Sequence, residues 1–207
     1  MTYFFWDSPD WFDGALCCRY VVVQFDKLHV PTWIDGAPGT AEWHWALGLF
    51  TDGQLQVLGA WRDEGPATAQ RIAADLHDRG IERIQALAAD DALVAAVKGL
   101  CPRVCDRTVA ELAAPGAASA RMRQAIRWTD TAAQHLQERM SRATKKHGPF
   151  ADHAAAADFI AQAFQRADRD LLADDWDRAK PAPYGLRAAP PVLARTASAR
   201  AALAQAA

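Results

Sequence analysis

A run of apolar residues early in the chain places the strongest limit on the fold. Residues 19–30 (RYVVVQFDKLHV) begin with consecutive β-branched side chains and then alternate around Asp26. Consecutive apolar residues in so short a run indicate a strand covered on both faces, which is typical of a sheet packed between helices. A charged side chain inside such a strand is costly unless it has a partner. Asp26 is therefore a candidate functional acid on a predicted central strand.

The next segments predict a hairpin. Residues 31–40 contain Pro and Gly at intervals and are predicted to form a loop. Residues 43–50 and 54–61 are strand-like, and Thr51-Asp52-Gly53 between them is a strong hairpin signal.

Helices and strands then alternate along the chain. The pattern predicts four elements: a helix over residues 66–80, a strand over 81–89, a helix over 91–100 and a short strand over 103–105. A hairpin followed by strands joined through helices predicts an α/β fold with a mixed sheet and helices on its faces.

Two amphipathic helices are predicted after Ser119. Residues 119–147 carry an apolar stripe that includes Trp128, Leu136 and Met140, and residues 154–172 form a second amphipathic helix. We predict a core over residues 1–176, followed over residues 177–207 by a Pro-rich linker and an Ala-rich tail.

Positive charge is concentrated on the first of these helices. The whole chain has a net charge of −2, but residues 119–147 hold seven Lys and Arg against two acids, a net +5. Such a face is either a solvated helix surface or a surface that contacts phosphates. The candidate nucleic-acid-binding residues are Arg127, Arg139, Arg142, Lys145 and Lys146.

The cysteines and the apolar runs exclude several classes of protein. Cys17, Cys18, Cys101 and Cys105 match no common zinc spacing and are expected to be reduced. No run reaches the roughly 18 apolar residues of a spanning helix. We expect a soluble cytoplasmic protein with no membrane partner.

Two aspartates occupy strand positions that suit phosphodiester chemistry. Asp26 lies within the first strand, and Asp90 follows the strand over residues 81–89, with Asp91 as the alternative. Carboxylates at neighbouring strand ends can hold Mg²⁺ ions that activate water and stabilise a leaving oxygen. The alternative is a pair of solvated aspartates at strand ends.

An ordered series of blocks carries a family resemblance. The blocks are residues 20–30, 46–61, 75–81 (DLHDRGI), 128–136 and 144–150 (TKKHGPF). Together they resemble the Mutator-type bacterial insertion-sequence transposases, over roughly residues 19–176. The resemblance implies an RNase H-like core, DNA as partner, and Mg²⁺ (or Mn²⁺) as the cofactor of DNA strand cleavage and transfer if the site is active.

The resemblance also assigns catalytic positions. It places the first two acids and the metal at Asp26 and Asp90, and the family's Glu at Gln134. An amide lacks the charge that this chemistry needs, so we expect impaired catalysis. Asp130 and Glu138 lie one turn either side of Gln134 and are the candidates to replace the missing acid. The favoured alternative is that both lie on a polar helix face with the basic residues, since catalytic carboxylates tolerate little displacement.

Other departures from the family pattern point the same way. Thr108 stands where the family has the His of a Cys-x-x-His element, although Cys105 is retained. The long helical insertion and the N-terminal DNA-binding region of the family are expected to be absent. Three hypotheses therefore stay open: an impaired transposase-like protein, a non-catalytic domesticated module that binds DNA or a protein, and a stable remnant with no present role. The protein partner would be a second copy of the chain or a full-length transposase.

Overall fold

Five strands form one mixed sheet in the computed structural model, which describes residues 14–34, 36–100 and 105–172. The strands are β1 (Arg19–Ile34), β2 (Ala37–Leu49), β3 (Leu55–Arg62), β4 (Arg83–Ala88) and β5 (Cys105–Thr108). Their order is β3-β2-β1-β4-β5. β2 is antiparallel to both of its neighbours, whereas β4 is parallel to β1 and β5. The predicted α/β class with a mixed sheet is confirmed.

Helices cover both faces of this sheet. They are α1 (Thr68–Asp78), α2 (Asp91–Leu100), α3 (Val109–Leu112), α4 (Ala120–His147) and α5 (His153–Leu172). One core cluster joins the sheet to α1 and α2, and the other joins it to α4 and α5. Because β1 is central and covered on both sides, its consecutive residues Tyr20–Val23 are all fully buried, as the apolar run predicts.

The predicted loop over residues 31–40 is wrong. β1 continues to Ile34 and β2 begins at Ala37, so the two strands form one long hairpin arm. Pro31 is tolerated because its carbonyl points away from β2 and accepts a hydrogen bond from the Phe150 amide at 2.9 Å. The absent N–H of Pro31 faces the same side and therefore removes no bond to β2.

The other predicted elements agree with the structure within a few residues. The Thr51-Asp52-Gly53 turn joins β2 to β3, with Gly53 at a φ of 88°. Ser119 caps α4 by accepting a hydrogen bond from Met122 N, and Gly148 follows the helix with a φ of 83°. None of the described helices is both long and apolar enough to cross a membrane. Cys101 and the predicted linker and tail over residues 177–207 lie outside the described residues.

A carboxylate protects the exposed edge of the sheet. β3 is an edge strand, and its Val57 amide donates a hydrogen bond of 2.8 Å to Oδ1 of Asp168 on α5. Burial of this carboxyl group raises the pKa of Asp168 from 3.8 to about 6. The α5 helix thus provides an acceptor for the Val57 amide of the edge strand, but this contact buries the ionisable carboxyl group of Asp168.

We expect Asp168→Asn to stabilise the protein at neutral pH. The folded-state pKa lies above the unfolded value, so the native protein loses stability as pH rises from about 4 to about 6. The amide keeps an oxygen for Val57 but has no charge to bury. The gain should be about 1–3 kcal/mol in urea unfolding at pH 7.5 and small at pH 4. Asp158→Asn, at an exposed position of α5, is the matched control. An equal effect of both variants at both pH values would contradict the assignment.

Candidate functional site

The two predicted catalytic aspartates lie at the same edge of the sheet. β1 and β4 are parallel neighbours, and Gln24 of β1 is paired with Ala88 of β4. Asp26 and Asp90 each follow that pair by two residues. Asp26 therefore lies within β1, two residues beyond its last pair with β4, and Asp90 lies just after the carboxyl end of β4. Asp91 is the first residue of α2 and is exposed.

Both carboxylates already have polar partners. Oδ1 of Asp90 accepts a hydrogen bond from Leu93 N at 2.9 Å and so caps α2. Oδ2 of Asp90 lies 3.9 Å from Nζ of Lys27. Oδ1 of Asp26 accepts a hydrogen bond of 2.7 Å from the backbone amide of Lys27.

The acid of α4 that reaches the central strand is Asp130. Its Oδ1 accepts from Nε2 of Gln24 at 3.3 Å, and its Oδ2 accepts from Nε2 of Gln134 at 3.1 Å. Gln24 and Asp26 are two residues apart on β1, so their side chains point to the same face of the sheet. Asp130, which contacts Gln24, therefore lies on the same face as Asp26. Gln134 is exposed and its amide is directed to Asp130, while Glu138 is also exposed.

Gln137 is a contact that the sequence did not predict. Its Oε1 accepts a hydrogen bond of 2.8 Å from the indole of Trp45, and its Nε2 donates one of 2.6 Å to the Lys27 carbonyl. Trp45 is fully buried and is paired with Asp26 in the β1–β2 ladder. Gln137 therefore fastens α4 to the sheet beside the predicted site. The one sequence signal for this contact is that Gln137, a polar residue, directly follows Leu136 of the apolar stripe.

Asp26, Asp90 and Gln134 do not fit a shared Mg²⁺ ion. In the described chain, no trio of His, Cys, Asp or Glu ligand atoms within 4.8 Å of one another includes Asp26 or Asp90. The Lys27 ammonium beside Asp90 repels a second cation, and Gln134 brings no negative charge. The trio that does meet this distance is Glu42, His44 and Asp63, on the opposite face of the sheet.

Cys105 and Thr108, which the resemblance compares with a Cys-x-x-His element, both have structural contacts. Cys105 is buried, and burial raises the pKa of its thiol. Thr108 begins α3 through a capping box, in which its hydroxyl accepts from Glu111 N at 3.1 Å.

The basic residues of α4 share its exposed face. Arg127, Arg139, Arg142, Lys145 and Lys146 are all exposed. At about 100° per residue they fall within an arc of roughly 120° on the helix. Among the residues that the structure describes, Arg127, Arg142, Lys145 and Lys146 form no ion pair. Their charge therefore remains available to an external anion.

In comparisons with known proteins, no family model and no curated protein matches this chain.

Gln137→Ala should destabilise the fold more than Gln134→Ala. The first change leaves the buried Trp45 N–H and the Lys27 carbonyl without their partner, whereas the second removes one exposed contact. We expect a loss of about 1–3 kcal/mol for Gln137→Ala and under about 0.5 kcal/mol for Gln134→Ala in urea unfolding. Equal losses would show that Gln137 does not fasten α4 to the sheet.

Proposed function

We propose that the chain is a DNA-binding protein with an RNase H-like, transposase-type core whose strand-transfer site is impaired. The observation that carries the proposal is the sheet order β3-β2-β1-β4-β5 with Asp26 within β1 and Asp90 just after the parallel strand β4, each two residues beyond the last β1–β4 pair. A long helix, α4, follows and packs on β1 with Asp130 and Gln134 near that edge. This placement agrees with the motif order on which the transposase resemblance rests.

The proposed impairment rests on charge at the third position. Gln134 carries none, and its amide is engaged by Asp130. The Lys27 ammonium, which is bound to Glu42 at 2.7 Å, also lies 3.9 Å from Asp90, where strand transfer would require a metal ion. An ammonium and a divalent cation that share one carboxylate repel each other, so the edge is poorly suited to hold Mg²⁺.

DNA binding is proposed for the exposed face of α4. Residues 119–147 have a net charge of +5 within a chain of net −2, so the positive charge is local. Lys and Arg side chains that neutralise phosphates release counterions, and this release drives sequence-independent binding. The last turn of α4 contributes Lys145 and Lys146 side by side.

Removing the two terminal lysines should weaken DNA binding and its salt dependence. For Lys145→Ala with Lys146→Ala, we expect at least about a tenfold loss of affinity at about 100 mM salt. The slope of log K against log salt should fall by about 2, as expected for two lost phosphate contacts. Fluorescence anisotropy with a labelled duplex measures both quantities.

A charge-matched control separates this surface from net charge. Arg83→Ala with Lys98→Ala removes the same charge from residues outside α4 that pair with Asp106 and Glu111. Their exposed ion pairs contribute little to stability. DNA affinity should be nearly unchanged in this control, and an equal loss in both double variants would contradict the proposed α4 surface.

Calorimetry with Mg²⁺ tests the proposed impairment. The native chain should show no measurable Mg²⁺ binding at millimolar concentrations, because Gln134 brings no negative charge and the oxygens of Asp130 are engaged by Gln24 and Gln134. Gln134→Glu should produce binding, since it adds a second carboxylate beside Asp130, on the face of the sheet that Asp26 shares. Addition of Asp26→Asn should remove that binding again. Tight binding by the native chain that Asp26→Asn alone abolishes would show instead that the acid site is intact.

A further inference from the structure

We propose that Glu42, His44 and Asp63 form a binding site for a zinc-class divalent cation. Glu42 and His44 are two residues apart on β2, so their side chains share one face of the sheet, and Asp63 directly follows β3. The Asp63 amide donates a hydrogen bond of 2.8 Å to the Glu42 carbonyl, so the two strand ends are held together there. The proposal is independent of the DNA-binding function, because the site lies on the sheet face opposite α4.

The spacing of the ligand atoms suits a single ion. One ligand atom from each residue lies within 4.8 Å of the other two, and His44 Nε2 is 3.8 Å from Asp63 Oδ2. Bonds of about 2.0–2.2 Å in a tetrahedral zinc site place ligand atoms roughly 3.3–3.6 Å apart. Small side-chain rotations, with no movement of the strands, would bring the trio to that spacing.

The surroundings of the His44 imidazole indicate a metal ligand rather than an ordinary core residue. His44 is only 6% exposed. Within the described part of the chain, its one polar partner is Asp63, and 3.8 Å is beyond hydrogen-bond distance. The ring nitrogens are not fully shielded from solvent, so an ion can reach the imidazole without displacing a hydrogen bond within the described chain.

The Asp63 carboxylate is held by second contacts that leave one oxygen for an ion, whereas Oε1 of Glu42 is bound by Lys27 and Oε2 of Glu42 lies 3.7 Å from His29 Nδ1. Oδ1 of Asp63 accepts from Gly65 N at 2.8 Å and from the Thr68 hydroxyl at 3.1 Å, so Oδ2 faces His44. The Gly65 amide also lowers the pKa of Asp63, which keeps this group ionised. Hydrogen bonds of this kind orient the ligands of metal sites.

Lys27 controls access to Glu42. It is paired with His44 across the β1–β2 ladder, and its Nζ lies 2.7 Å from Oε1 of Glu42. The hydrogen bond to Glu42 raises the pKa of Lys27, so the ammonium stays charged at neutral pH. Asp90 at 3.9 Å offers a second position for this ammonium when an ion takes Glu42. Lys27 therefore competes with the cation and sets its affinity.

The donor set selects the class of metal. One imidazole nitrogen and two carboxylate oxygens suit Zn²⁺, whereas Mg²⁺ and Ca²⁺ prefer oxygen ligands alone. The Glu42 and Asp63 side chains are 30% and 32% exposed, which leaves a solvent side where water completes the coordination.

Zinc titration of the untagged full chain tests the site. We expect one Zn²⁺ per chain by calorimetry at pH 7.5, with no competition from millimolar Mg²⁺. Glu42→Gln and His44→Ala should each weaken the Kd at least about tenfold. Lys27→Met should tighten it by about threefold or more, because the competing ammonium is gone. Glu42→Gln changes a part-exposed side chain, so it tests the site even where His44→Ala does not fold.

Two controls make the outcomes distinguishable. His77→Ala removes an exposed imidazole whose carboxylate partner is Asp78, and it should leave Zn²⁺ binding unchanged. Asp26→Asn should also leave it unchanged, since Asp26 belongs to the other face. Unaltered Zn²⁺ affinity in both Glu42→Gln and Lys27→Met would overturn the proposal, as would a native chain that binds no Zn²⁺.

Discussion

The register of β1 is the constraint on which the rest of the structure depends. This strand is central, with β2 antiparallel on one side and β4 parallel on the other. Successive residues of a strand point to opposite faces, so a shift by one residue would exchange every side chain between the two helical layers. The present register directs Gln24 and Asp26 to α4 and Lys27 to the Glu42–His44–Asp63 trio.

Lys27 connects the two faces of the sheet. Its carbonyl accepts a hydrogen bond from Gln137 of α4, while its ammonium lies on Glu42 and near Asp90. Movement of Lys27 toward one carboxylate therefore changes the charge balance at the other. Helix α4 and the Glu42–His44–Asp63 trio are thus connected through Lys27. Its backbone is held by Gln137, and its side chain has two carboxylate acceptors.

The apolar pattern predicted the sheet well because it is a local signal. The β1 run, the Asp52-Gly53 turn and the α4 stripe each specify their own element. The loop over residues 31–40 was predicted wrongly because Pro31 is satisfied by Phe150, which is distant in the sequence. Gln137 and the trio were missed for the same reason, since His44 and Asp63 meet only when β2 and β3 are paired.

Two aspartates at one sheet edge do not by themselves require a metal. Asp90 caps α2, and an N-cap of this kind contributes about 1 kcal/mol to stability. Its second oxygen lies 3.9 Å from Nζ of Lys27, whose nearer partner is Glu42 at 2.7 Å. Whether two aspartates at such an edge can hold a metal ion depends on the group that α4 contributes beside them. Here α4 presents Asp130, whose two oxygens are already hydrogen-bonded to Gln24 and Gln134.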